Sequence, residues 1–444
     1  MEYLRISGGT PLRGTVSLSG SKNAALAILA GALLTEEPCT IHNVPPIEDV
    51  GTMLRVLSAI GVKVSLVKPG SVRIDASLLN DNPLPYDLVK KMRASFYVSG
   101  ALLGRIHRAR VPLPGGCVIG ARPVDFHINA FRQLGATVEL QHGLMVAEVE
   151  RLRGTHIVLD PRWCSVGATV NTMLVACLAE GETVIDHAAR EPEVTNFADF
   201  LLSMGAQIEG AGTSEIRVTG VSGLKGSEFH VISDRIEAGS YLFMGAATGG
   251  DVRVEPISPN LLEFVLCKLD ETGVEVDTDE TSARVRVTRR PVALDVATAP
   301  FPGFPTDLQP LILALTCTAA GRSVIQETIY EGRLHYVGEL TRMGANVKVV
   351  NQTAVVRGVT KLSGAPVESP DLRAGAALVA AGLSAEGQTE ITGVGVIDRG
   401  YYQLEEKLSG LGADIIRRDS DGNVVRPSAE VNECSDWQEI LASI

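Results

Sequence analysis

Leu134-Gly135-Ala136-Thr137-Val138 and Met204-Gly205-Ala206-Gln207-Ile208 share one form: the end of a helix-like segment, a glycine, then an alternating stretch. The form recurs at Ile60-Gly61-Val62-Lys63-Val64, Thr272-Gly273-Val274-Glu275-Val276, Met343-Gly344-Ala345-Asn346-Val347 and Leu411-Gly412-Ala413-Asp414-Ile415. Successive glycines are 74, 70, 68, 71 and 68 residues apart. Glycine ends a helix well because it takes the left-handed conformation without a Cβ clash. One such glycine is commonplace. Six at nearly constant spacing mark an internal repeat.

Each unit carries another helix upstream, ending in small residues and turning into a strand. Leu178-Ala179-Glu180-Gly181-Glu182-Thr183-Val184-Ile185 and Ala319-Ala320-Gly321-Arg322-Ser323-Val324-Ile325 are examples. The unit therefore reads β-α-β-α-β-β. The first helix of each unit opens on polar residues and continues apolar, so it is predicted to be buried all round. The openings are Ser21-Lys22-Asn23, Met92-Arg93-Ala94-Ser95, Cys164-Ser165-Val166-Gly167, Asp234-Arg235-Ile236-Glu237, Pro305-Thr306-Asp307 and Asp371-Leu372-Arg373. Helix N-termini attract anions, so Lys22, Arg93, Arg235 and Arg373 are placed against the dipole. An anion held between cation and helix explains them. A neighbouring carboxylate, such as Asp234 beside Arg235, is the competing explanation.

The net charge of −12 and the lack of a basic stripe exclude a nucleic-acid binder but not anionic small substrates. No apolar run reaches membrane-spanning length, and the N-terminus does not read as a signal peptide. The seven cysteines are scattered without metal-ligand or redox spacing, which suits a reduced, cytoplasmic setting. No metal site is expected.

Several motifs carry a resemblance. Ser19-Gly20-Ser21-Lys22-Asn23-Ala24-Ala25, Arg190-Glu191-Pro192-Glu193, Phe304-Pro305-Thr306-Asp307, Asp371-Leu372-Arg373-Ala374 and Ile397-Asp398-Arg399-Gly400-Tyr401 are five of them. The most specific is Pro114-Gly115-Gly116-Cys117-Val118-Ile119-Gly120-Ala121-Arg122-Pro123-Val124-Asp125. Together, over about residues 3–418, they resemble the UDP-N-acetylglucosamine 1-carboxyvinyltransferases, enolpyruvyl transferases that open peptidoglycan precursor synthesis. The resemblance implies a two-domain inside-out α/β barrel of six βαβαββ repeats, three per domain, with the substrate cleft between the domains. One domain would hold 1–21 and 233–420. The inserted domain would hold 22–232, with the catalytic cysteine loop at 112–123. Residues 421–444 form an extra tail, polar with a short helix at Trp437-Gln438-Glu439-Ile440-Leu441.

The implied reaction moves the enolpyruvyl group of phosphoenolpyruvate to the 3-hydroxyl of UDP-N-acetylglucosamine, through a tetrahedral ketal, with loss of phosphate. It needs a base for the hydroxyl, an acid for the methylene carbon and cations for the phosphate, and no cofactor. By resemblance Cys117 is the acid and the site of a covalent adduct, Asp307 the base, and Lys22 a third catalytic residue. Lys22, Asn23, Arg122, Arg333, Arg373 and Arg399 would hold phosphoenolpyruvate. Guanidiniums suit this because phosphate and carboxylate accept bidentate forks. For any one arginine the competing reading is a solvated surface charge, which fits Arg333 better than Arg122. Asp307, at a helix start, also reads as a favourable first-turn carboxylate.

The nucleotide sugar would be held by Asn23, Arg93, Arg122, Pro123, Val124, Asp125, Phe126, Ser165, Val166, Gly167, Asp307 and Ile329. Two features depart from the family: Asp160-Pro161-Arg162-Trp163-Cys164 is longer and bulkier, and Phe126 stands where Leu is customary. His127, one turn into the next helix, reads equally as a helix support or a ligand residue. Among the other cysteines, Cys39 and Cys434 are expected outside apolar helices and strands. No oligomer is required. Three other readings stay open: transfer to shikimate 3-phosphate, transfer to another uridine nucleotide, and a non-catalytic binding protein.

Overall fold

The computed structural model describes residues 2–114, 119–120, 124–425, 433–442 and 444. All six repeat glycines have the left-handed backbone the sequence requires, with φ of 88° at Gly61, 103° at Gly135, 97° at Gly205, 79° at Gly273, 88° at Gly344 and 93° at Gly412.

The chain forms two compact units. One holds residues 2–19 and 233–425 together with Ile119 and Gly120; the other holds 20–114, 124–232 and 433–444. In the first unit the helices Arg235–Ala247, Gln309–Thr316 and Leu372–Ser384 pack against one another. Arg235–Ala247 buries every residue from Arg235 to Ala246, the polar opening Arg235 and Glu237 included. In the second unit Tyr97–Ile106 packs on both Lys22–Gly31 and Val166–Ala176. Gly100 permits this approach: a Cβ there would lie 2.3 Å from Asn171 Oδ1 and 2.9 Å from its carbonyl oxygen.

Sheets surround these helices, three in each unit. Five have four strands and one, order Arg108–Pro112, Leu144–Glu148, Thr137–Gln141, has three. Strands alternate with period two, so Val252 and Val254 of Asp251–Glu255 turn inward onto the Arg235–Ala247 helix while their neighbours face out. Among the described residues the sheets stay separate and do not close into one hydrogen-bonded barrel. The inside-out layering holds within each unit as three separate sheets around buried helices.

Three sheets are completed by strands from distant sequence. Tyr3–Ser7 lies between Gln388–Thr392 and Asp414–Arg418, antiparallel to both, with Leu4 opposite Ile391 and Arg417. Arg13–Ser17 pairs in parallel with Asp251–Glu255, and Glu228–His230 with Cys39–His42. The N-terminal strands are thus held in the unit that carries the last three repeats.

The tail differs from the sequence reading. Its helix runs Glu433–Ala442, longer than the five residues expected, and Trp437 is fully buried. Ile440 lies over Gly51 of the Glu48–Ala59 helix, where a Cβ would meet its side chain at 3.5 Å. An indole this large docks wherever an apolar face is offered. Cys39 also differs: it sits in the strand Cys39–His42 and is fully buried, because alternation turns it inward.

Candidate active site

A buried polar cluster of the first unit is built around Asp307. A 3-10 turn, Thr306–Leu308, leads into the Gln309–Thr316 helix and presents the carboxylate. Arg333 Nη2 donates to Oδ1 at 2.7 Å, and Arg373 Nε donates to Oδ2 at 3.1 Å. Both guanidiniums are almost wholly buried, with side chains 3% and 4% exposed, whereas Asp307 keeps 28%. Arg333 is therefore no surface charge; the 3-10 turn Arg333–Tyr336 folds it under the Thr306 carbonyl, 3.2 Å away. Burial pulls both guanidiniums down, but the Asp307 charge together with Asp371 and Glu327 around Arg333, and with Tyr401 and Asp234 around Arg373, outweighs it, and both stay above the ordinary arginine range. The ring of Tyr401 lies 5.4 Å from the Arg373 guanidinium, a cation–π contact.

Glu327, which the sequence did not single out, ties this cluster together. Fully buried, it accepts from Thr298 and Thr306 hydroxyls at 3.0 Å each and from the amides of Ile329 at 2.8 Å and Tyr330 at 3.1 Å. It thereby fixes half-buried Ile329 relative to the turn bearing Asp307. Its signal in sequence is weak, one glutamate after a strand. Arg399 is half-buried in the loop after Val394–Val396. Ile119 joins this unit as well, its carbonyl accepting from the Gly332 amide at 2.9 Å.

In the second unit Lys22 and Asn23 begin the Lys22–Gly31 helix. Asn23 is exposed, and Lys22 Nζ lies 3.1 Å from Asp49 Oδ2, a carboxylate only 4% exposed. The counter-ion of Lys22 in this structure is thus a side chain 27 residues away, which no local pattern reveals. Arg93, half-buried, opens the 3-10 turn Arg93–Phe96. Val124 is the N-cap of the Asp125–Gln133 helix, with Asp125 exposed and Phe126 half-buried. Ser165 caps the Val166–Ala176 helix, accepting from the Ala168 amide at 3.3 Å. Gly167 lies close under the His127 ring, where a Cβ would sit 3.0 Å from it. His127 is itself buried, bonded through Nδ1 to Asn171 at 2.7 Å and edge-on to Phe96, so it supports the helices.

Four of the six helix openings are capped from within, by Ser21, Ser165, Asp234 and Asp371. Arg235 packs its guanidinium over the Phe301 ring at 5.5 Å. The departing stretch 160–164 forms a turn stiffened by an Arg162–Asp160 pair at 2.6 Å, and Cys164 takes a left-handed φ of 38°. A cavity of about 470 Å³ opens beside it, lined by Phe126, Asn129, Ile157, Leu159, Asp160 and Arg162 among others. Cys117, Arg122 and Pro123 lie outside the described residues. Among the described residues no group of His, Cys, Asp and Glu is arranged to hold a metal ion, and no helix is long and apolar enough to cross a membrane.

The EPSP synthase (3-phosphoshikimate 1-carboxyvinyltransferase) family profile matches residues 6–408. A UDP-N-acetylglucosamine 1-carboxyvinyltransferase of Gloeobacter violaceus is 48% identical over 434 residues, 98% of this chain and 93% of that protein. The chain belongs to this family of enolpyruvyl transferases. A second such relative, from Carboxydothermus hydrogenoformans, is 50% identical over 94% of this chain and 99% of its own length. Among solved structures, the enolpyruvyl transferase NikO from Streptomyces tendae matches with a TM-score of 0.85 at 26% identity, covering 96% of this chain and 99% of its own. EPSP synthase from Acinetobacter baumannii matches with a TM-score of 0.72 at 18% identity over 94% of this chain and all of its own, a likeness of fold.

Proposed function

We propose that this chain transfers the enolpyruvyl group of phosphoenolpyruvate to the 3-hydroxyl of UDP-N-acetylglucosamine, releasing phosphate, as the first committed step of peptidoglycan precursor synthesis in the cytoplasm. The observation that carries the reading is the carboxylate of Asp307 held on both oxygens by the buried guanidiniums of Arg333 and Arg373. Asp371 and Glu327 also act on Arg333, and Asp234 on Arg373, so Asp307 is one of several anions near the two guanidiniums. They suit a phosphate or carboxylate, which accept forks in the same way.

In the proposed sequence Asp307 takes the hydroxyl proton as the sugar oxygen bonds to C2 of phosphoenolpyruvate. Cys117 delivers a proton to C3, giving a tetrahedral ketal. The Cys117 thiolate then takes a proton back from C3, the double bond re-forms, and phosphate departs with its bridging oxygen. Lys22, Arg122, Arg333, Arg373 and Arg399 stabilise the charge on the leaving phosphate, with Asn23 beside them. Arg93, Val124 to Phe126, Ser165 to Gly167 and Ile329 hold the nucleotide sugar, with Arg122 and Pro123. A carboxylate is a weak base for an alcohol, so this step needs a site from which water is excluded.

Phosphate release from phosphoenolpyruvate tests the reading. It is expected with UDP-N-acetylglucosamine and absent with shikimate 3-phosphate or no acceptor. Release with shikimate 3-phosphate alone, or with another uridine nucleotide in preference, overturns the acceptor.

A further inference from the structure

The loop that carries Arg399 is gripped on both sides of that residue. It is bounded by two left-handed residues, Gly393 at φ 72° and Gln403 at φ 49°. After Arg399, Tyr401 is buried, its hydroxyl 2.7 Å from Ser240 Oγ and its ring against the Arg373 guanidinium. Before it, Ile397 is buried beside Gly375, where a Cβ would meet Ile397 Cγ1 at 2.6 Å.

Asp398, the immediate neighbour of Arg399, is held in a fork by Arg417. Nη1 donates to Oδ2 at 2.8 Å and Nη2 to Oδ1 at 2.6 Å. The same guanidinium takes Glu405 on its other edge, Nε to Oε1 at 2.5 Å, and reaches Glu2 at 3.3 Å. Arg417 lies on the strand Asp414–Arg418 with its side chain 8% exposed. Burial works against its charge, yet the hydrogen bonds it donates to Asp398 and the charges of Glu405 and Asp398 hold it above the ordinary arginine range. One carboxylate would suffice to compensate a buried guanidinium. The fork on Asp398 does something further, because it fixes a loop residue that has no strand or helix to hold it. Planar fork-to-fork geometry fixes orientation as well as distance, which an ammonium cannot do.

We propose that Arg417 is a positioning residue for phosphoenolpyruvate: it locks the Asp398 carboxylate and thereby orients the adjacent Arg399 side chain. The proposal rests on the reading that Arg399 binds phosphoenolpyruvate. Arg417 touches no substrate itself and acts only through the loop.

Steady-state kinetics on four variants and one double variant test it, with thermal unfolding run alongside. Asp398→Asn and Arg417→Lys should each raise KM for phosphoenolpyruvate about tenfold, while kcat and KM for UDP-N-acetylglucosamine stay within about twofold. Glu2→Gln, which removes a carboxylate that does not touch the loop, should leave all three constants unchanged. Arg399→Ala should itself raise KM for phosphoenolpyruvate. In that background Asp398→Asn should add less than about twofold, because the route it disturbs is already gone. If Arg417→Lys does not fold, Asp398→Asn, which keeps Arg417 paired with Glu405, carries the test. An unchanged KM for phosphoenolpyruvate in Asp398→Asn, an equal rise in Glu2→Gln, or a full penalty retained beside Arg399→Ala overturns the proposal. A native KM in Arg399→Ala overturns the reading of Arg399, and this proposal with it.

Discussion

Replacing Asp307 with Asn removes one charge and leaves two buried guanidiniums without their shared partner. Breaking a buried ion pair from one side costs about 3–5 kcal/mol. The lower end applies, because Asp307 is itself 28% exposed. Arg333 also keeps the Thr306 carbonyl at 3.2 Å, and Arg373 keeps the Tyr401 ring at 5.4 Å. The unit that holds the cluster should therefore lose about 3 kcal/mol. With a urea slope of roughly 3 kcal/mol/M, its unfolding midpoint should fall by about 1 M. Inorganic phosphate should restore much of the loss, since an anion filling the vacated position at one hundred times its dissociation constant adds about 2.7 kcal/mol. Turnover should fall by about 10²–10⁴ if the carboxylate takes the hydroxyl proton, with KM for the nucleotide sugar changed by no more than about threefold. The assays are urea unfolding followed by far-ultraviolet circular dichroism, since Trp163 and Trp437 both belong to the other unit, with and without phosphate, and steady-state kinetics. An Asn variant with an unchanged midpoint and no added response to phosphate would refute the electrostatic reasoning. One that loses nucleotide affinity but not turnover would make Asp307 a binding residue only.

Trp437→Ala should free the tail helix: its amides should exchange about 100-fold faster in hydrogen-exchange mass spectrometry, with turnover within about twofold. Unchanged exchange would show that the indole does not anchor the helix. Gly100→Ala should destabilise its unit by about 1–3 kcal/mol, because the new methyl meets the Asn171 backbone, and a native urea midpoint would contradict that packing. Cys117 should be the thiol alkylated selectively by a phosphonate-bearing epoxide, faster with nucleotide sugar present and slower with phosphoenolpyruvate. Burial pushes the Cys177 and Cys317 thiols up to about 12 and raises Cys39 and half-buried Cys164, so among the described residues exposed Cys267 is the competitor to watch, ahead of Cys164. Peptide mapping that finds the label on either of those, or none on Cys117, removes it from the mechanism.

The repeat was legible because it is local. A glycine after a helix and an alternating strand declare themselves within five residues, and all six glycines adopt the left-handed backbone. The buried helices were legible for the same reason, since a run apolar on nearly every face after a polar opening needs no knowledge of partners. What the chain hides are pairings across sequence. The Tyr3–Ser7 strand closes a sheet with residues near 390 and 415, and Lys22 finds Asp49 through the folding of a second helix. Arg333 looked like a surface charge because nothing beside it in sequence announces burial. Only the 3-10 turn that folds it toward Asp307 does so. Cys39 was misread by position, because a four-residue strand is too short for alternation to stand out. Ser165 to Gly167 stand at a capped helix start, as their polar opening suggested, while the turn at 160–164 has no local rule that predicts its shape.

The central claim is enolpyruvyl transfer by addition and elimination, and the most direct measurement is mass spectrometry of the nucleotide product formed in heavy water. The account predicts UDP-N-acetylglucosamine carrying one enolpyruvyl group, one phosphate released per product, and deuterium in the methylene group from protonation and deprotonation at C3. Phosphate release without a modified nucleotide, or a product whose methylene stays free of deuterium throughout turnover, would contradict it.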